Sequence, residues 1–125
     1  MPSADQGAEP GAAGPVADAM TRDMPPHELA ERLRGPRPPV LLDVREPWEH
    51  RVAHIAGARL VPLGMLPAAL STLDPQTDYV LLCHHGVRSL TGLELLRARG
   101  LTRVAHLAGG IDAWSTDVDP AVPRY

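Results

Sequence analysis

The stretch Tyr79-Val80-Leu81-Leu82-Cys83-His84-His85-Gly86-Val87-Arg88-Ser89 decides the fold. Four bulky apolar residues follow one another without polar alternation and stop at a cysteine. A strand buried on both faces reads this way. Beyond Gly86, Leu90, Leu93, Leu95 and Leu96 recur at helical spacing, and Gly100 closes the run. The segment therefore predicts a strand over 79–82, a short loop, and a helix over 88–99. A buried strand that feeds a helix through a short loop is the building unit of a parallel sheet.

The same alternation extends in both directions. Val40-Leu41-Leu42-Asp43-Val44 follows Pro38 and Pro39 and predicts a second buried strand. Pro25 and Pro26 suit the start of a helix over 25–34, with Leu29 and Leu33 one turn apart and Gly35 as its stop. Pro47 opens a short helix through His54. Arg59-Leu60-Val61 is a brief strand stopped by Pro62, and a further helix is expected over 67–73. Residues 103–106 predict the last strand and 110–116 the last helix. The fold class is α/β: one domain over 20–125, with a central parallel sheet and helices on both faces. Ligands of such sheets bind at the carboxyl ends of the strands. Two ends carry chemistry here, Asp43-Val44-Arg45-Glu46 and Cys83 through Ser89.

Composition narrows the classes of function. The chain has 125 residues, enough for one modest core. Twelve cations, all Arg, stand against 15 acids for a net charge of −3, which argues against a basic surface for nucleic acid. The absence of lysine removes Schiff-base chemistry. One cysteine forms no internal disulfide and no four-cysteine zinc site. No apolar run approaches the roughly 20 residues of a membrane span. The first basic residue is Arg22, so neither a secretory signal nor an Arg-rich transit peptide is legible, and a cytoplasmic location is expected. Residues 1–19, rich in Ala, Gly and Pro, are expected to form a disordered leader.

A lone cysteine is by default a small buried hydrophobe. The position of Cys83 points elsewhere. It stands where the chain leaves a buried strand and faces the N-terminus of the next helix, whose free N–H groups and dipole favour an anion. Such surroundings favour a thiolate. Gly86 lets the backbone curl around the sulfur, and Arg88 adds a charge that suits oxyanions. Phosphate ester hydrolysis and transfer of a sulfane sulfur both use this design. Cysteine phosphatases resemble C-x5-R; the spacing here is C-x4-R, one residue shorter.

The segments LLDVREPWEH (41–50), HIAGA (54–58), VLLCHHGVRS (80–89) and HLAGGIDAW (106–114) together resemble the rhodanese family of sulfurtransferases, in single-domain bacterial form. The similarity covers roughly residues 20–125. The closing VDPAVPRY is similar to the tail of small bacterial rhodaneses and of rhodanese domains fused to adenylyltransferases. The resemblance implies a two-step reaction. Cys83 takes the outer sulfur of thiosulfate or a related anionic donor as a persulfide, then passes it to cyanide or a thiol. It implies no metal and no organic cofactor, and leaves room for a protein donor or acceptor. Cys83 is the implied nucleophile, and His84, His85, Gly86, Val87, Arg88 and Ser89 form the implied substrate cradle. Asp43 and Arg45 frame the site.

Each residue also has a plainer reading. Arg88 either holds the donor's sulfonate, the preferred reading, or ties down the loop. Ser89 either caps the helix, the preferred reading, or bonds the sulfur. His84 and His85 are expected to contribute through their backbone amides. His50 and His54 have the i, i+4 spacing of metal ligands, but His54 falls on a motif in which the family uses the imidazole structurally, and a metal on Cys83 would quench the nucleophile. Trp114 is expected in the core. Three rival functions share these residues: a persulfide-carrying interaction module, a small phosphatase or arsenate reductase, and an inert regulatory domain.

Overall fold

The computed structural model describes residues 20–125, so the leader expected over 1–19 lies outside the described residues. Its strands are β1 (Asp23–Met24), β2 (Val40–Asp43), β3 (Arg59–Leu60), β4 (Tyr79–Leu82) and β5 (Val104–Leu107). Its helices are α1 (Pro26–Leu33), α2 (Pro47–Val52), α3 (Leu66–Ala69), α4 (Val87–Ala98) and α5 (Gly110–Asp117). The strands form one sheet in the order β1-β5-β4-β2-β3, and every pairing is parallel. All four residues of β4, at the centre, are buried, as the unbroken apolar run requires.

Side-chain parity divides the core into two layers. Leu41, Val80, Leu82, Ala105 and Leu107 point to one face, where Leu29 of α1 and Ile111 and Trp114 of α5 cover them. Leu42, Leu81, Cys83 and Val104 point to the other, beneath Leu66 of α3 and Leu93 and Leu96 of α4. Burial of each such leucine removes apolar surface worth about 1.5–3 kcal/mol. The period of two in a strand puts Cys83 on the α4 face together with Leu81. It puts His106 on that same face, two residues after Val104.

Three elements differ from expectation. The helix expected over 67–73 is a succession of a 3-10 turn (Leu63–Met65), α3 and a second 3-10 turn (Leu70–Thr72). Pro67 sits in the first turn of α3, and no side chain caps the helix. The helix that starts at Pro47 stops at Val52, because Ala53 is already extended at φ −156°, ψ 134°. β1 has no counterpart in the sequence reading. It is two residues long, too short for a period, and exists only because Asp23 and Met24 pair with His106 and Leu107.

Candidate active site

β4 ends one residue before Cys83, and the register pairs Leu82 with Asp43 of β2. The two chemically loaded strand ends are therefore neighbours at the carboxyl edge of the sheet. Cys83 is only 1% exposed. Its sulfur does not sit among apolar atoms alone. The Gly86 N–H points at Sγ from 3.1 Å and the Ser89 N–H from 3.3 Å. The loop doubles back at Gly86, with φ 103°, a conformation that glycine adopts without strain.

The loop is held from behind by α5. Ile111 donates its N–H to the Cys83 carbonyl at 2.9 Å, and Asp112 to the His84 carbonyl at 3.1 Å. With the carbonyls drawn toward the start of α5, the loop's N–H groups turn toward the sulfur. Gly110 makes this approach possible. It has φ 67°, and a Cβ there would run into the carbonyls of His84 and Cys83.

Ser89 bonds the sulfur rather than capping α4, which corrects the preferred expectation. The N-cap of α4 is Gly86, with no side-chain cap. Ser89 Oγ lies 3.4 Å from Cys83 Sγ and 2.9 Å from His106 Nδ1. The physical reason is parity: α4 turns Ser89 inward, onto the face where Cys83 and His106 already point. His106 Nε2 in turn lies 2.8 Å from Asp23 Oδ1.

Arg88 is engaged by a residue that the sequence reading did not single out. Its two Nη groups bond Glu49 Oε1 at 2.6 Å and Oε2 at 2.9 Å, a bidentate pair that joins the loop to α2. The Arg88 guanidinium holds the Glu49 carboxyl down to about 2, from an ordinary 4.5. Glu49 reciprocally raises the Arg88 pKa. Glu49 also accepts from the Glu46 N–H at 3.0 Å and from the Tyr125 hydroxyl at 2.8 Å. This geometry makes Arg88 a brace for the loop, the second of its two readings.

Asp43 and Arg45 form a fully buried pair, with Arg45 Nε and Nη2 on the two carboxylate oxygens at 2.8 and 2.6 Å. Arg45 also donates to the carbonyls of Ala53 at 2.6 Å and Glu49 at 3.3 Å, and to Tyr125 Oη at 2.8 Å. The pair thus ties the end of β2 to both ends of α2. Asp43 further holds His50 Nδ1 at 2.8 Å.

His84 and His85, within the sulfur loop, stack their rings at 3.9 Å, and Tyr125 stacks on His84 at 3.9 Å. Burial, and then the neighbouring His85, lower the His84 pKa. Val87 is exposed. His54, at the expected metal spacing from His50, bonds the His50 carbonyl at 3.1 Å. Among the described residues no group of three or more His, Cys, Asp and Glu is placed to hold a metal. No helix among them is long and apolar enough to cross a membrane. Trp114 is buried in the core, on α5.

The sequence reading missed Glu49, His106 and Tyr125. For His106 a signal existed: a histidine inside the apolar run Val104-Ala105-His106-Leu107 needs partners. Glu49 and Tyr125 reach the site only through the packing of α2 and of residues after α5, for which no spacing rule exists.

Comparison with known proteins agrees with this architecture. A family model for the rhodanese-like domain matches residues 25–117. A sulfurtransferase of Allochromatium vinosum is 31% identical over 103 residues, covering 82% of this chain and 96% of that protein. A probable adenylyltransferase/sulfurtransferase, MoeZ, of Mycobacterium tuberculosis is 36% identical over 102 residues, or 80% of this chain. The matched part spans 26% of that relative's length. A rhodanese-related protein from Thermoplasma volcanium has a crystal structure that superposes with a TM-score of 0.73 at 30% identity, covering 84% of this chain and all of that one. With its parallel sheet, its cysteine loop and a family match over most of its length, the chain belongs to the rhodanese-like domain family.

Proposed function

We propose that the protein is a sulfurtransferase that carries a sulfane sulfur on Cys83. The observation behind this reading is the pair of N–H groups, from Gly86 and Ser89, aimed at Sγ at 3.1 and 3.3 Å. Donors placed in this way stabilise a sulfur anion before and after transfer. The Cys83 thiolate attacks the outer sulfur of thiosulfate, the bond between the two donor sulfurs breaks, and sulfite leaves with its electron pair. Cys83 then bears a persulfide anion. A thiolate or cyanide attacks the outer sulfur, the S–S bond to Cys83 breaks, and the cysteine thiolate is regenerated. This is covalent, ping-pong catalysis. In this reading Arg88 braces the loop against Glu49 and supplies positive potential to an anionic donor, while Asp43 and Arg45 hold the frame.

Thiosulfate is one donor of this chemistry, and a persulfide is another. A protein-borne donor or acceptor is the second reading. It draws support from relatives whose names join adenylyltransferase with sulfurtransferase and of whose length this chain spans 26% in one case and 20% in another.

Intact mass spectrometry tests both readings. Incubation with thiosulfate is expected to add the mass of one sulfur, and cyanide to remove it. Cys83→Ala is expected to gain nothing while keeping its fold by circular dichroism. A sulfur adduct on the Ala variant would overturn the assignment of Cys83. A wild-type mass that changes only with a protein persulfide donor would favour the second reading.

A further inference from the structure

Cys83 is the end of a continuous hydrogen-bonded chain that crosses the sheet to the surface. Sγ lies 3.4 Å from Ser89 Oγ, Oγ lies 2.9 Å from His106 Nδ1, and His106 Nε2 lies 2.8 Å from Asp23 Oδ1. The four groups come from four elements: the end of β4, α4, β5 and β1. His106 is buried, whereas the Asp23 side chain is 69% exposed. The loop seats directly on the imidazole, since a Cβ at Gly86 would stand 3.8 Å from His106 Cε1.

With the His106 ring neutral, a single assignment of donors and acceptors satisfies every contact along this chain. A carboxylate only accepts, so His106 Nε2 carries the hydrogen toward Asp23. The Nδ1 of a neutral ring then accepts, and the Ser89 hydroxyl donates to it. The Ser89 oxygen is left to accept from the Cys83 thiol. Every hydrogen points from the sulfur outward. A buried histidine with two satisfied ring nitrogens accounts for its own burial. It does not account for a chain that starts on the reacting sulfur and ends at a carboxylate in solvent.

We propose that Ser89, His106 and Asp23 form a relay that accepts the thiol proton of Cys83 and keeps it while the sulfur is an anion. The proposal rests on Cys83 as the reacting sulfur. The S–H bond breaks and its proton passes to Ser89 Oγ, as the serine hydrogen passes to His106 Nδ1. The products are a thiolate and an imidazolium whose Nε2–H faces the Asp23 carboxylate. Two hydrogens shift in concert, the net transfer is one proton from sulfur to imidazole, and no oxidant or reductant is needed. When the transfer cycle ends in a free thiol, the proton returns by the same path. His106 and Asp23 act through Ser89 and are positioning residues.

Other charged groups around the relay have partners of their own. Just before β1, Arg22 bonds Glu94 of α4 at 3.2 Å. Arg88 bonds Glu49 of α2. His85 faces Asp112 of α5 at 4.0 Å, and His84 is stacked between His85 and Tyr125. Asp23 is the carboxylate within hydrogen-bond distance of His106.

The test is alkylation of Cys83 by iodoacetamide across pH 5–10, followed by intact mass. It needs no sulfur donor, so a relay defect and a failure of sulfur transfer are read separately. The variants are Ser89→Ala, His106→Asn and Asp23→Asn. At pH 7 the first two are expected to alkylate about tenfold more slowly than the wild type and the third about threefold. All should converge with the wild type at high pH, where the thiol ionises unaided. A uniform slowing at every pH, or a profile superimposable on that of the wild type, would overturn the relay and leave a structural role for His106. If His106→Asn does not fold, Asp23→Asn decides the matter, because its side chain is exposed and its loss leaves the core intact.

Discussion

At the residue scale, Gly110 shows how a position far from Cys83 in sequence shapes the cysteine loop. A residue with a Cβ at φ 67° is strained, and here the Cβ would also strike the carbonyls of Cys83 and His84. Gly110→Ala is therefore expected to cost about 2–4 kcal/mol in urea unfolding. It should also pull the Ile111 N–H off the Cys83 carbonyl and slow persulfide formation more than a stability loss alone explains. Single-turnover sulfur loading under conditions where the variant is folded measures this directly. The place of Cys83, after an apolar strand and before Gly86, was legible, and it marked this residue as the candidate nucleophile. The role of Ser89 was not. The same serine caps a helix or bonds a buried sulfur according to which way the first turn of α4 faces, and packing against the sheet settles that.

At the element scale, α2 is the buttress of the cysteine loop. Its N-terminal Pro47 and the bond from Glu46 N–H to Glu49 Oε1 fix where Glu49 stands. Glu49 then anchors Arg88 at the start of α4. A double-mutant cycle with Glu49→Gln and Arg88→Met measures this junction. The coupling is expected at about 1–3 kcal/mol, above that of an exposed pair, because Glu49 is nearly buried and the contact is bidentate. A coupling near zero would mean that the loop holds its shape without α2. The pairing of α2 with α4 spans 39 residues of sequence, and no local pattern encodes it. The strands and the long helix were legible because their apolar periods are local. The two-residue β1 and the broken α3 segment were not, because neither is long enough to show a period.

At the scale of the whole molecule, the depressed Glu49 carboxyl couples folding to pH. Its ordinary value is 4.5 and its folded value about 2. A carboxyl with a lowered folded pKa stabilises the native state at pH values above its unfolded pKa. That stabilisation decreases as pH falls from about 4.5 toward 2. The contribution at neutral pH is at most about 3 kcal/mol. Urea midpoints are expected to fall across this window, and Glu49→Gln should flatten that part of the profile. A variant whose acid profile parallels that of the wild type would assign the loss to other carboxylates.

The sequence alone determined the α/β class, the parallel sheet and the cysteine loop. Each depends on short-range pattern: apolar runs that have only one way to be buried, and turn residues beside a strand end. Only the tertiary structure decided what surrounds the sulfur. The order β1-β5-β4-β2-β3 places β5 beside β4, and strand parity then turns His106 to the Cys83 face. The same order brings Asp23, 83 residues away in sequence, within 2.8 Å of His106. Contacts of this kind arise when distant segments are packed into one core, and no periodicity in the chain records them.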